Sequence, residues 1–320
     1  MKQGNNTGAF KHIIHNFTMP LFLLFLFIIS AIFVPRFIEI NNLINVLMQI
    51  TINALIATGM TFVILTGGID LSVGSVAAMT GIVASTVANN MQGGISLNTL
   101  IIFGSAVIIG GACGAFNAFM ISWLKVPPFV ATLAMMSIAR GLAYVFTDAK
   151  PVFGMPEGYS WIGLGYIGKV PVMVIIMIVI LAVAYIVLQR TCFGRYVFAV
   201  GSNEEVAQLS GINVRKIKAW VYILCGFLAA LAGAVLSSRL QAGQPAAANG
   251  YELNAIAAVA LGGTSMSGGR GGIGQTIIGL CIIGIINNAL SLLGVSSYWQ
   301  TIAMGVIILI AVIIDQNKDI

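Results

Sequence analysis

Ten apolar segments follow one another along this chain, and they constrain its fold more than any other feature of the sequence. A membrane-spanning helix needs about 20 predominantly apolar residues, and most of the segments approach that length. Only 8% of the 320 residues are charged, too few to coat a soluble domain. We therefore predict an all-α, polytopic membrane protein with one transmembrane domain over residues 1–320. The predicted spans are 17–35, 44–66, 71–90, 97–122, 128–147, 171–189, 219–238, 253–263, 273–291 and 299–315.

The distribution of basic residues predicts the orientation of these spans. Cytoplasmic loops carry an excess of Lys and Arg. With the N-terminus inside, ten of the 15 basic residues face the cytoplasm and four face outward, so we predict that both termini are inside, with a cytoplasmic arm over 1–16. The cytoplasmic set is Lys2, Lys11, Lys125, Arg190, Arg195, Arg215, Lys216, Lys218, Arg270 and Lys318, and the outer set is Arg36, Lys150, Lys169 and Arg239. The net charge of +6 is then a topology signal, and no nucleic-acid binding is predicted.

The longest polar stretch of the chain, residues 189–218, is cytoplasmic in this orientation. Asn203 is a good helix cap, and the sequence predicts a short helix over Glu204–Leu209 that ends before Gly211. A simple connection between two spans needs only about 2–8 residues, so this stretch is long for a linker. We interpret it as a docking surface, with a solvated loop as the alternative.

Two glycine-rich passages, residues 67–75 and 262–272, interrupt the apolar pattern. An offset of 195 residues aligns Gly67 with Gly262 and Ser72 with Ser267, which indicates an internal repeat. Short or glycine-broken spans in both halves of a chain point to unwound helices beside a transport path. Loose packing of helix ends is the alternative interpretation.

Several polar side chains lie within or beside the apolar segments, and each needs a partner at membrane depth. Asp70 is predicted to cap the helix that follows it, with bonds from the backbone N–H groups of Ser72 and Val73. Arg140 makes a hydrogen-bonding contact in the pathway, binds a buried acceptor or extends toward a lipid headgroup. The residues that we assign to the translocation path or its broken helices are Asp70, Ser72, Asn117, Arg140, Thr264, Ser265, Asn287 and Asn288.

The sequence offers no catalytic centre, and we predict neither an enzyme nor a bound metal or cofactor. The four cysteines are scattered and show no ligand spacing. Residues 163–170 resemble a phosphate-binding loop, but Val170 stands where that loop requires Ser or Thr. Any ATP-driven work must therefore be done by another chain.

Five motifs in order resemble the ribose-type sugar permeases of bacterial ABC importers. The resemblance runs from about residue 36 to residue 315, nearly the whole chain. The motifs are Gly68–Ser75, Phe193–Tyr196 with Gly201–Asn203, Ser210–Val214, Leu261–Ser265 with Gly268 and Gly269, and Leu293–Tyr298.

The resemblance implies a homodimeric channel in the bacterial inner membrane. It implies a periplasmic sugar-binding protein outside and, in the cytoplasm, an ATP-binding subunit with two nucleotide-binding modules. Ribose and allose are the leading substrates. Residues 189–218 would form the coupling loop, although Val206 replaces the second Ala of the family's coupling motif. The coupling residues implied are Gly194, Arg195, Asn203, Glu204, Glu205, Ala207 and Gly211.

The main alternative is an ion-coupled secondary sugar transporter. Such a protein normally carries several functional carboxylates within its spans. Asp70 is the single candidate here, so the sequence favours the ATP-driven importer.

Overall fold

The computed structural model describes residues 6–90 and 95–316, with the side chains of 18–90, 98–307 and 309. Helices make up most of this part of the chain. They are α1 (Asn6–Phe33), α2 (Ile40–Leu65), α3 (Val73–Asn90), α4 (Ile95–Ser122), α5 (Pro128–Thr147), α6 (Glu157–Leu164), α7 (Val172–Arg190), α8 (Cys192–Ser202), α9 (Glu204–Leu209), α10 (Val214–Leu240), α11 (Tyr251–Leu261), α12 (Ile273–Leu292) and α13 (Ser297–Gln316). The prediction of an all-α fold is correct apart from one hairpin, in which β1 (Tyr166–Ile167) pairs with β2 (Val170–Pro171).

Every predicted span coincides with a helix, and six helices of the described part are long and apolar enough to cross a membrane. Those six lie within α2, α4, α5, α7, α10 and α12. α11 has 11 residues, or about 16 Å of helix, roughly half of a hydrocarbon core. The count of ten spans and the orientation stay predictions. α1 begins inside the predicted cytoplasmic arm, whose first five residues lie outside the described part.

Helix α10 lies at the centre of the bundle and packs against α2, α3 and α4. Its contact with α4 depends on glycines: a Cβ atom on Gly226 would lie 2.9 Å from the Cα atom of Gly114. A Cβ on Gly81 of α3 would likewise lie 2.9 Å from the carbonyl oxygen of Gly233. Small residues at such crossings let helix backbones approach closely, as expected for a membrane bundle.

The two ends of α10 define the two ends of the molecule, about 40 Å apart for a helix of 27 residues. At its last turns, the hydroxyl of Tyr159 in α6 donates to the carbonyl oxygen of Ala234 at 2.6 Å. Burial raises the pKa of this tyrosine. At the first turn of α10, Lys218 forms a salt bridge with Glu204 of α9. α6 and α9 therefore mark opposite ends of the bundle.

The two helix breaks are structurally equivalent, but at a different offset from the one that the sequence suggested. α2 ends at Leu65 and α11 ends at Leu261, and a glycine in the left-handed region follows two residues later in each case. These glycines are Gly67, at φ 74°, and Gly263, at φ 98°. The structure thus pairs Gly67 with Gly263, an offset of 196, so the predicted pairing with Gly262 is wrong by one residue.

The backbone hydrogen bonds after each helix follow the same pattern. The N–H of Gly68 donates to the carbonyl oxygen of Val63 at 3.1 Å, and the N–H of Thr264 donates to that of Val259 at 3.2 Å. This bond across six residues closes the end of a helix around a left-handed residue. The position of this hydrogen bond therefore decides which residues of the two breaks are equivalent. Matching glycines in the two sequences is a weaker guide.

Candidate functional site

The two breaks meet each other, and the end of α8 packs against both. The N–H of Gly269 donates to the carbonyl oxygen of Leu65 at 3.0 Å, which joins the second break to the end of α2. A Cβ on Gly268 would lie 2.9 Å from the N atom of Gly67, and one on Gly201 would collide with Leu65 O. We call this contact of residues 65–68, 201–202 and 267–269 the break junction. It places the polar stretch 189–218 directly against the unwound backbone.

Three of the predicted path residues come together beside the first break. The carboxylate of Asp70 accepts hydrogen bonds from Ser72 N at 2.9 Å and Ser72 Oγ at 2.6 Å. The amide of Asn117 in α4 donates to the same Ser72 Oγ at 3.0 Å. All three residues are at most 1% exposed, so in this conformation they hold the break to α4 rather than face an open path. Only one of the two predicted capping bonds is present, since no bond from Val73 occurs among the described residues.

The second break is closed by its own backbone. Thr264 is fully buried, and its Oγ1 accepts a hydrogen bond from Gly272 N at 3.2 Å. Ser265 N donates to the carbonyl oxygen of Arg270 at 2.9 Å. These contacts fold residues 264–272 into a compact loop, so Thr264 and Ser265 shape the break.

Asn288 lies in α12, away from the cluster of Asp70, Ser72 and Asn117. Its side-chain amide exchanges two hydrogen bonds with that of Asn42 in α2, at 2.9 and 3.0 Å. A reciprocal pair of this kind satisfies both amides and fastens α12 to α2. Asn287, its neighbour, is half-buried.

Arg140 binds the segment that connects α10 with α11. Its Nη1 donates to the carbonyl oxygens of Pro245 and Ala247 at 2.7 and 2.8 Å. Of the interpretations of this arginine, the structure supports binding to an acceptor within the protein. Two carbonyl oxygens within hydrogen-bonding distance stabilise the charge of the guanidinium better than a more distant lipid headgroup would.

The bound segment runs beside α3 through much of the bundle. A Cβ on Gly243 would lie 2.7 Å from Ser85 Oγ, and one on Gly74 would lie 2.6 Å from the carbonyl oxygen of Ala248. Ser85 and Gly74 are eleven residues apart in the chain, or about 16 Å along a helix. The connection therefore descends into the bundle before α11 begins.

We predict that Arg140→Met lowers the stability of the protein. The carbonyl oxygens of Pro245 and Ala247 would lose their charged donor, and such a hydrogen bond contributes about 1.5–3 kcal/mol. The thermal unfolding midpoint in detergent should fall by several degrees. Arg190→Met, which removes an exposed arginine at the end of α7, is the matched control and should leave it unchanged. Equal midpoints for the Arg140 variant and the wild type would contradict the role described here.

The predicted short helix is confirmed as α9, and its cap is the predicted one. Asn203 Oδ1 accepts a hydrogen bond from Val206 N at 2.9 Å, and Gly211 follows the helix at φ 83°. Ala207 is the buried residue of α9. Glu205 is exposed, whereas Glu204 pairs with Lys218.

The sequence did not predict α8, which precedes α9. Thr191 Oγ1 caps it by accepting from Gly194 N at 3.3 Å, and Arg195 Nη2 contacts Cys192 Sγ at 2.9 Å. Gly194 packs against the carbonyl oxygen of Leu188, where a Cβ atom would collide. The residues of the predicted coupling loop thus form two consecutive capped helices.

A cavity of 740 Å³ separates α9 and the beginning of α10 from the loop between α4 and α5. It brings Lys125 of that loop together with Arg215 and Lys218 of α10 and with Glu204 and Gly211. The sequence did not connect Lys125 with the polar stretch, because the cavity that they share brings together residues about ninety positions apart. The result is a basic depression beside α9 at one end of the bundle.

The chain matches known proteins along most of its length. The family described as the permease component of branched-chain amino acid transport systems matches residues 42–312. The chain belongs to this permease family. The ribose import permease protein RbsC of Escherichia coli K12 is 48% identical over 301 residues, which cover 93% of this chain and 92% of that protein.

Other relatives agree with this assignment. The ribose import permease protein of Bacillus subtilis 168 is 48% identical and covers 93% of this chain and 91% of that protein. The L-arabinose transport system permease protein of E. coli K12 is 37% identical, with 92% and 88% covered. No solved structure matches. The chain is a ribose-type sugar permease, a multi-pass, non-catalytic transport component of the bacterial inner membrane.

Proposed function

We propose that this permease forms the membrane path of an ATP-driven monosaccharide importer, with ribose as the first candidate substrate and allose as the second. The relatives named for ribose, from two bacteria, support that order. The observation that carries the proposal is the break junction, because it joins the polar stretch that contains α8 and α9 to both unwound helices. A force on α9 would therefore reach the path through one contact.

We infer that α9 faces the cytoplasm and receives that force from a separate ATP-binding subunit with two nucleotide-binding modules. Val206 and Leu209 of α9 are 56% and 87% exposed, and apolar side chains of this exposure suit a docking contact. The cavity beside α9 adds basic groups to the same surface. When the two nucleotide-binding modules close on ATP, they would move α8, and α8 would move the two breaks together.

At the other end, a periplasmic sugar-binding protein would dock around residues 148–169 and 239–252, on the exposed parts of these segments, since Gly243 and Ala248 of the second lie against α3. The permease would act as a homodimer, with the path between or beside its two copies. A neutral sugar needs no ion partner, which agrees with the few charges within the spans.

Reconstitution with the two partners tests the proposal. Proteoliposomes that contain the permease and the ATPase should take up labelled ribose only with ATP inside and loaded binding protein outside. Uptake that persists without ATP and stops when an ion gradient is dissipated would instead favour the ion-coupled transporter.

We predict that Glu205→Arg uncouples ATP hydrolysis from transport. Glu205 is exposed in the first turn of α9, so reversing its charge leaves packing intact but alters the surface that meets the ATPase. Uptake should fall at least tenfold while the variant still reaches the membrane. Glu39→Arg is the control, since Glu39 is also exposed but precedes the first turn of α2, outside both proposed docking surfaces. Wild-type uptake with Glu205→Arg would count against the coupling role.

A further inference from the structure

One face of α2 carries an amide at every fourth position: Asn41, Asn45, Gln49 and Asn53. Residues four apart lie above one another on a helix, so these side chains form a line about 18 Å long. The first three are exposed, and no hydrogen bond of their side chains occurs among the described residues. Asn53 is half-buried, and its Oδ1 atom is buried without a partner. We call these four residues the amide ladder.

The ladder cannot face lipid at low cost. An unpaired amide in an apolar medium costs several kcal/mol, and α2 is one of the helices long and apolar enough to cross the membrane. Asn42, which follows Asn41 in the sequence, avoids this cost because its side-chain amide is paired with that of Asn288. The ladder must therefore meet water, a polar ligand or another protein surface.

The neighbourhood of the ladder is polar as well. Arg239, in the last turn of α10, donates from Nη1 to the carbonyl oxygen of Met48 at 3.0 Å, one residue from Gln49. Arg239 also interacts electrostatically with Tyr251, at the beginning of α11, and α11 packs against α2. These groups place the ladder in the half of the bundle that contains α6 and the descending connection.

We propose that the amide ladder lines the outer half of the sugar path and passes a monosaccharide from one amide to the next. Each amide offers two donors and one acceptor, which match the hydroxyl groups of a neutral sugar. Successive amides are about 6 Å apart, so a moving sugar exchanges one contact for the next without losing both. A row of weak sites permits passage, whereas one tight site would retain the ligand. This inference rests on the proposed function.

Labelling from outside tests where the ladder faces. Asn45→Cys and Gln49→Cys should react with a membrane-impermeant maleimide in the nucleotide-free or the ATP-bound complex. Leu47→Cys is the control, because Leu47 is also exposed but lines an apolar groove with Ile50. Absence of labelling at both ladder positions in both states would overturn the proposal. So would a disulfide between two copies at Asn45→Cys that leaves uptake unchanged, which would make the ladder a closed dimer contact.

Transport measurements test what the ladder binds. The double variant Asn45→Ala with Gln49→Ala should lower the uptake rate by about tenfold, as expected for two lost hydrogen bonds. Stimulation of ATP hydrolysis by the loaded binding protein should persist, because assembly and coupling are unaffected. The pair Asn45→Gln with Gln49→Asn keeps the amides and should restore most of the uptake.

The two proposals fail in different ways. If the wild type shows no ATP-dependent uptake, the proposed function is wrong. If the wild type transports and the double alanine variant transports equally well, only the role of the amide ladder is wrong.

Discussion

Gly201→Ala should abolish most ATP-driven sugar uptake. Gly201 lies in α8, and a Cβ atom there would collide with the carbonyl oxygen of Leu65 and lie 2.7 Å from the N atom of Gly269. These two atoms form the hydrogen bond that joins the breaks. A methyl group inserted into such a contact costs about 1–3 kcal/mol, mainly by shifting backbone. We expect uptake to fall more than tenfold in proteoliposomes.

A matched glycine variant separates this effect from a general loss of stability. Gly274 lies in the first turn of α12, and a Cβ atom there would meet no atom within 4 Å. Gly274→Ala should therefore transport like the wild type. Binding-protein stimulation of ATP hydrolysis should fall for Gly201→Ala and persist for the control. Normal uptake by Gly201→Ala would show that the break junction does not transmit the motion of α8.

Features that depend on neighbours in the chain were predictable. The apolar segments became helices because each is apolar enough to bury or to face lipid along its length. The helix α9 was predictable because its cap, Asn203, and its terminator, Gly211, are local signals. The positions of the two breaks were predictable for the same reason. Their register was not, because it depends on the hydrogen bonds of the helix ends.

Features that depend on distant residues were not predictable. Asn288 looked like a path residue, but it is paired with Asn42, 246 positions away. Arg140 finds carbonyl oxygens more than one hundred residues further along. A polar residue in an apolar run shows that a partner is needed, and only the fold shows which partner it has.

The amide ladder shows a signal that the sequence did contain. Asn41, Asn45, Gln49 and Asn53 repeat at intervals of four, the spacing of one helix face. Asn45, Gln49 and Asn53 fall within the predicted span 44–66. Asn42 is an amide of the same kind, so the sequence alone does not show which of these side chains are paired inside the bundle. Burial separates them, since Asn42 is 8% exposed and the ladder residue Asn45 is exposed.

Asp70→Ala should impair assembly of the permease more than any substitution that keeps an acceptor at this position. The alanine would leave Ser72 N and Ser72 Oγ without their acceptor at a site 1% exposed. A buried polar group left unpaired costs about 1–3 kcal/mol, and two are affected. The amide of Asn117 would also lose a fixed partner, because its hydrogen bond goes to the same hydroxyl. The amount of folded protein in the membrane should drop severalfold.

Asp70→Asn distinguishes a structural carboxylate from one whose charge is needed for transport. The asparagine Oδ1 can accept both bonds from Ser72, so the helix break should keep its geometry and the variant should assemble. If Asp70 acts only through these contacts, Asp70→Asn should also transport at close to the wild-type rate. An Asp70→Asn permease that assembles fully but passes no sugar would show that the negative charge itself takes part. Fluorescence-detected size-exclusion chromatography and ribose uptake on the same preparations separate these outcomes, because the first reports assembly and the second reports passage.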